Sequence, residues 1–392
     1  MAFALEHTSS RIRDVPVSAI IEIVDLARYE KDIIKLWVGE SDLATPEFIR
    51  QAATNALEKG ETRYTFSRGI PSLREAISHY MSRLYGVPID TDRISVTVGG
   101  MQAVLQAFQA VVEEGDEVVI PAPAWTNVFE AAKIVGAKIN EVALRYGNNG
   151  WHLDIEEMFD AVTPRTRALV INSPHNPTGW IMSKDEMRSV LEFARARGLW
   201  IVTDEVYIRL TFDRPRATSM LELCEPEDRV IAANTFSKNW AMTGWRVGWA
   251  VTPPSLGDVF DNLLQYGTTG VTTFVQHGAE AAIVQGEAFL EGFVERCRRS
   301  RDVLCNALAE VPSLRFSPPS GTFYLFVGVE GLTDSKALAI EALREAKVGI
   351  APGSAFGTGG EGCVRLCFGL DPDLLASAME RLVPFLQNKT FA

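Results

Sequence analysis

From about residue 93 onward, short runs of Val, Ile and Ala alternate with longer stretches whose apolar residues recur three and four positions apart. The short runs are RISVTV (93–98), EVVIPA (117–122), ALVINS (168–173), WIVTDEVY (200–207), VIAANTF (230–236) and VGWAVT (247–252). They are rich in Val and Ile, as strands buried on both faces should be. Between them, MQAVLQAFQAVVEE (101–114) and SKDEMRSVLEFARARG (183–198) read as helices, the second stopped by a glycine. This alternation predicts an α/β fold: a large domain with a mostly parallel central sheet flanked by helices.

After residue 275 the pattern changes to a long helical stretch, then SGTFYLFVGV (320–329), a helix near 334–346, CVRLCFG (363–369) and a last helix from about 371. That mixture predicts a smaller α+β domain. Residues 1–44 have no strand partner of their own and end at WVGESD, so they are expected to join it. The resulting division is 45–289 for the large domain, with 1–44 and 290–392 forming the small one. A chain of 392 residues is long enough for two such cores.

Composition narrows the function classes. Hydrophobic residues at 47% and charged residues at 22% describe an ordinary globular chain. A net charge of -12 without a basic block opposes nucleic-acid binding, which needs a cationic stripe. The opening MAFALEHTSSRIRD reaches Glu6 before any apolar core of a leader, and no run of roughly 20 apolar residues is available for a membrane span. Five cysteines without a CxxC pair argue against a disulfide framework and a structural zinc site, so the expected address is the cytoplasm, with no metal.

In an open parallel sheet, ligands bind beyond the carboxyl ends of the strands. Polar residues crowd there: Gly99 and Gly100 after the first run, Asn176 after the third, Asp204 and Tyr207 at the end of the fourth, Ser237 and Lys238 after the fifth. The segment NTFSKNWAMTGWRVGW (234–249) sets Lys238 between a strand end and a tight turn, with Arg246 eight residues on. Burial and nearby positive charge disfavour an ammonium ion, which makes such a lysine an imine-forming nucleophile. An isolated loop lysine would instead be a solvated cation, and its context is what changes the reading.

Taken in order, SPHNPTG (173–179), TDEVY (203–207), SKNWAMTGWRVG (237–248), PSGTFY (319–324), PGSAFG (352–357) and VRLCF (364–368) closely resemble the class I/II aminotransferases of fold type I. The subgroup is the one that includes many prokaryotic aspartate, aromatic and branched-chain enzymes. The resemblance implies pyridoxal 5'-phosphate as cofactor, bound to Lys238 as a Schiff base, with the same amine later shuttling a proton. It implies that Asp204 keeps the pyridine nitrogen protonated, and that Tyr207 and Asn176 hydrogen-bond the phenolate oxygen. Gly100 and Met101 at a helix N-terminus, Thr235, Ser237 and Arg246 would hold the phosphate. Tyr64 would reach the phosphate of a neighbouring subunit, making the unit a homodimer. Trp125 would stack on the pyridine ring. Arg365, with Gly39 and its backbone N–H, would grip the substrate α-carboxylate. On a strand, Cys363, Arg365 and Cys367 share a face, so the guanidinium is expected over a small, polarisable surface.

Each residue also has a plain structural reading: a turn former for Asn176 and Gly39, a cap for Asp204, core for Trp125. Two departures from the family pattern, His175 before the Asn-Pro and Leu43 after Ser41-Asp42, touch no implied role. Met101 stands where dicarboxylate-specific members often carry a lysine. The expected reaction is transfer of an amino group from an L-amino acid to a 2-oxo acid in two half-reactions. Neutral or hydrophobic donors, or a broad range, are favoured over strict aspartate use, with Arg68 as a possible replacement cation. The alternatives are an aspartate aminotransferase, a carbon–sulfur β-lyase or cyclopropane-forming synthase on the same scaffold, and a non-catalytic amino-acid sensor.

Overall fold

A computed structural model describes residues 7–13 and 15–390. Residues 1–6, on which part of the leader reading rests, lie outside the described residues, as do 391–392 at the end of the small-domain segment.

All six runs form strands of one sheet. Its spatial order is 94–97, 248–251, 230–235, 200–204, 166–172, 117–122, 138–147 and 150–153. The five strands from 230–235 to 138–147 are mutually parallel. Val247–Thr252 supplies an antiparallel strand, Gly248–Val251, between 94–97 and 230–235. Alternate residues face opposite layers. Ala168, Val170, Val202 and Ile231 pack with Phe108 and Ala107 on one side, while Leu169, Ile171, Ile201 and Val230 pack with Met187, Val190 and Leu191 on the other. Both faces are therefore covered, which is why central strands such as 117–122 and 168–172 are so rich in apolar residues.

The run 200–207 leaves this sheet after Asp204, so Glu205–Tyr207 form a turn rather than strand. The sheet also gains an antiparallel pair, Lys138–Gly147 and Gly150–Leu153, that the apolar pattern does not predict. It forms the sheet edge and mixes exposed with buried positions, so it lacks the apolar run, although Gly-Asn-Asn-Gly at 147–150 is a hairpin signal.

The helix Lys184–Arg197 shows how local chemistry sets boundaries. The Ser183 hydroxyl accepts from the Glu186 N–H, the Glu186 carboxylate accepts from the Ser183 N–H, and Gly198 ends the helix at φ +66.

The C-terminal part carries a second sheet, ordered 314–315, 324–329, 363–367, 351–352 and wholly antiparallel. The helices Glu287–Leu308 and Pro372–Gln387 pack on it. The long helix runs unbroken through residues 289 and 290. Residues near the N-terminus do find a strand partner: Ile34 and Lys35 pair in parallel with Val348 and Gly349. A Cβ on Gly349 would lie 2.0 Å from the Trp37 ring, so only glycine lets that indole settle here. The helix expected at 334–346 is α only over Ser335–Glu341, continues as a π turn over Ala342–Ala346, and stops at Lys347 with φ +56.

Candidate active site

The carboxyl ends of the parallel strands and the segment Trp37–Glu40 enclose a cleft of about 550 Å³. Lys238, Asp204, Tyr207, Gly100, Met101, Trp125, Asn176, Thr235, Ser237, Arg246, Gly39 and Arg365 all line it. Of the residues to which the resemblance assigns a cofactor or substrate role, Tyr64 lies elsewhere. It is 91% exposed, beside a separate depression formed with residues 268–274.

Lys238 follows the strand Val230–Thr235, and its Nζ donates to the Gly39 carbonyl at 2.7 Å. Burial pulls the amine down from its ordinary value to about 8. Arg365 is the positive neighbour that acts in the same direction, while Cys367, Asp204 and Glu40 oppose it.

Asp204 ends its strand with its carboxyl buried, and burial pushes it up to about 6. The Val206 N–H, donating to Oδ1 at 3.2 Å, and the Lys238 charge pull the other way. Three residues later, the Tyr207 hydroxyl is 2.9 Å from that of Tyr324. Burial raises both phenols, so both stay protonated.

Arg365 comes from the strand Cys363–Cys367 and is 3% exposed. It donates to Asn176 Oδ1 at 3.0 Å and to the Trp37 carbonyl at 2.5 Å, and its Nε has no partner. Its guanidinium carbon lies 4.2 Å from the Tyr324 ring centre and 4.8 Å from that of Phe356. This corrects the expectation of a cysteine surface. Residues two apart on a strand stand roughly 7 Å from each other, so aromatic rings from neighbouring segments cover the cation. Cys367 Sγ instead approaches the Glu40 carbonyl at 3.7 Å.

At the other end, a Cβ on Gly99 would lie 2.5 Å from Arg246 Nη2, so glycine is what lets the guanidinium reach the start of the helix Gly99–Val111. Arg246 is held by the Thr243 carbonyl at 2.8 Å, and the Thr235 and Ser237 hydroxyls stand 2.9 Å apart beside it. Free helix N–H groups, two hydroxyls and a fixed cation make a site for a small anion. Trp125 precedes the helix Thr126–Ile134 and forms one wall. Behind it, His175 is wholly buried, its Nδ1 2.9 Å from the Thr178 hydroxyl, and burial lowers it to about 3, so it is neutral.

Arg68, considered as a replacement cation, is not in the cleft. It donates to the Ser95 hydroxyl at 3.0 Å and to the Asp92 and Ile94 carbonyls. Tyr324, Glu40, Trp37 and the Ile20–Ile21 pair line the cleft without having been singled out. Tyr324 was legible as the last residue of PSGTFY. The isoleucines had no motif to mark them.

The cleft thus sets a weakly basic amine among a buried carboxyl, an anion site centred on Arg246 and a second cation at Arg365. Among the described residues, no group of three or more His, Cys, Asp or Glu side chains is gathered as a metal site requires, and no helix is long and apolar enough to cross a membrane.

A family profile described as "Aminotransferase class I and II" matches residues 31–382. The chain is 33% identical to an aspartate aminotransferase of Pyrococcus horikoshii, with 97% of each covered. It is 35% identical to aromatic-amino-acid aminotransferase 2 of Thermococcus litoralis, covering 97% of this chain and 98% of that one. The solved alanine aminotransferase of Pyrococcus furiosus superimposes with a TM-score of 0.91 at 28% identity, over 98% of this chain and all of that one. With motif order, fold and near full-length similarity in agreement, this chain belongs to the class I and II aminotransferases.

Proposed function

We propose that this aminotransferase holds pyridoxal 5'-phosphate on Lys238 and transfers the amino group of neutral or hydrophobic L-amino acids to a 2-oxo acid. The observation that carries the reading is the Lys238 amine, half-buried, lowered to about 8 and bonded to the Gly39 carbonyl, in one cleft with Asp204 and Arg365.

The residues fit that cofactor. The anion cradle of Gly100, Met101, Thr235, Ser237 and Arg246 suits a phosphate, and Gly99 has room for no side chain beside the guanidinium. When bound, the cofactor supplies an aldehyde that takes up the amino group and a pyridine ring that draws electrons from it. Asp204, in a buried setting, would hold a proton on the ring nitrogen through its charge. Lys238, with a substantial neutral fraction at neutral pH, would take the proton from the substrate Cα and return it. Tyr207 and Asn176 would orient the ring oxygen, and Trp125 would cover the ring. Arg365, with one N–H still unpartnered, would bind the substrate carboxylate together with the Gly39 N–H.

Substrate choice rests on what else lines the cleft. Among the described lining residues the cations are Lys238, Arg246 and Arg365, each with a role above. Met101, Ile20, Ile21 and Trp37 leave an apolar wall for the side chain. Relatives bearing aspartate, aromatic and alanine names leave that choice to the site itself.

The exposure of Tyr64 supports a homodimer in which each copy lends this residue to the other's site. The packing of Trp37 on Gly349 and of Ile34 beside Val348 supports joining residues 1–44 to the segment from 290. All five cysteines are unpaired, which supports a reducing cytoplasm.

The test is to load the protein with the cofactor, reduce with borohydride and map the labelled peptide, then follow which amino acids bleach the visible band. Label on Lys238 and bleaching by phenylalanine, leucine or alanine support the reading. A strong preference for aspartate defeats the substrate assignment, and pyruvate released from cystathionine without an oxo-acid acceptor would favour a lyase.

A further inference from the structure

We propose that Glu205 is a positioning residue whose buried carboxyl pins, from behind the sheet, the turn that presents Asp204 and Tyr207 to the cleft. The proposal rests on the reading of Asp204 as partner of the cofactor's ring nitrogen.

Glu205 is 1% exposed and has no part in the reaction described above. It follows Asp204 where the strand ends, so its side chain points to the opposite layer. There Oε2 accepts from the Ser219 hydroxyl at 2.7 Å and Oε1 from the Met220 N–H at 3.0 Å, with Tyr85 and Thr203 hydroxyls each at 3.4 Å. These donors sit on three separate elements: the end of the helix Pro71–Tyr85, the short turn Met220–Glu222 and the strand itself. The main chain is held as well. Glu205 N donates to Ala233 O at 2.9 Å, and Glu205 O accepts from Ile208 N at 3.0 Å, closing the turn that contains Val206 and Tyr207.

Asp204 depends on that turn, because the protein donor to its carboxylate is the Val206 N–H. A shift of the turn re-aims the carboxylate and moves Tyr207 with it. Burial pushes Glu205 up to about 7, and Glu222, paired with Arg216, acts the same way, while Ser219, Met220 and Thr203 oppose. Tyr85 faces the same carboxyl under the Arg216 guanidinium, and Cys224 lies within its electrostatic reach. An apolar side chain would avoid that desolvation cost, so filling space does not account for an acid here.

The test compares wild type, Glu205→Gln, Glu205→Ala and Asp204→Asn by cofactor dissociation constant, by the pH midpoint of the Lys238-bound cofactor's absorbance, and by melting of the cofactor-free protein. Val190→Ala, a buried change on the helix 184–197, controls for general loss of stability. We expect Glu205→Ala to weaken cofactor binding about tenfold and displace the absorbance midpoint, because the released turn re-aims Asp204, and tenfold is the scale of one weakened hydrogen bond to a charged group. Glu205→Gln keeps an acceptor for Met220 and a partner for Ser219, and should stay within about twofold of wild type. An unchanged Glu205→Ala, or equal displacement by Val190→Ala at matched melting loss, overturns the proposal. Should Glu205→Ala not fold, Ser219→Ala removes one donor and should shift both quantities in the same direction, and no shift again overturns it. If Asp204→Asn changes nothing, the cofactor reading fails and takes this proposal with it. If Asp204→Asn weakens binding and Glu205→Ala does not, only the proposal falls.

Discussion

Replacing Gly39 by alanine probes the tightest approach in the cleft. An ideal Cβ there lies 1.8 Å from the Tyr324 hydroxyl oxygen, 2.8 Å from Cζ and 3.2 Å from Cε1. Ordinary contact needs ~3.5 Å, so something must retreat by roughly 1.7 Å. The tyrosine has little freedom to do so. Its hydroxyl is bonded to that of Tyr207 at 2.9 Å, its ring centre is 4.9 Å from Phe323, and the Arg365 guanidinium lies over it. Moving residue 39 instead pulls its carbonyl off Lys238 Nζ. Overpacking costs about 1–3 kcal/mol and a hydrogen bond to a charged group about 1.5–3 kcal/mol. Since the chain takes the cheaper exit or a blend of the two, we expect a loss of about 1–3 kcal/mol in urea unfolding. A misplacement of about 1 Å at a reacting amine lowers turnover by roughly 10²-fold. Tyr324→Phe deletes the nearest atom, so the double variant should recover at least ~1 kcal/mol relative to additivity. A Gly39→Ala protein within ~0.5 kcal/mol of wild type, or strict additivity with Tyr324→Phe, refutes the steric argument.

Further outcomes follow from the same site. His175 titrates near 3 when folded and near 6.5 when unfolded, so between those values the unfolded chain binds a proton that the folded chain does not. Stability therefore rises with pH across that window, by up to about 1.4 kcal/mol per unit, and is lost as pH falls. His175→Asn should flatten the dependence, and parallel urea curves for the two proteins would tell against it. Competitive acetylation of the cofactor-free chain should give Lys238 a midpoint near 8, moving upward in Arg365→Ala because a cation that opposes the ammonium is gone. A midpoint at an ordinary lysine value in wild type would contradict this. Arg365→Lys keeps the charge but loses the fork, and should raise KM for amino donors about 10²-fold, measured by initial rates. Met101→Lys should improve kcat/KM for aspartate against phenylalanine by at least about tenfold, the effect of one new ion pair at a partly enclosed site, and an unchanged ratio would remove Met101 from substrate choice.

How much of this was legible beforehand depended on whether a residue's signal was local. Lys238, Asp204 and Arg246 sit in strings whose order along the chain survives without coordinates, and the strands carrying them announce themselves because both sheet faces are covered. The edge pair 138–147 and 150–153 escaped because strands that mix exposed with buried positions lack that apolar run. Ile20 and Ile21 escaped because no motif marks a residue whose neighbours in space come from some 200 positions away.

The linear sequence by itself determined the element types, the alternation that makes a parallel sheet, and the identity of the groups able to do chemistry, since these follow from side-chain periodicity and functional groups. Only the tertiary structure decided what those groups feel. Lys238 loses basicity through burial and through Arg365, a residue 127 positions away (365 − 238), and the guanidinium itself rests on Tyr324 and Phe356 rather than on the cysteines beside it on its strand. Desolvation and charge act through space over a few ångströms, and the chain's order does not encode which distant segments will come that close.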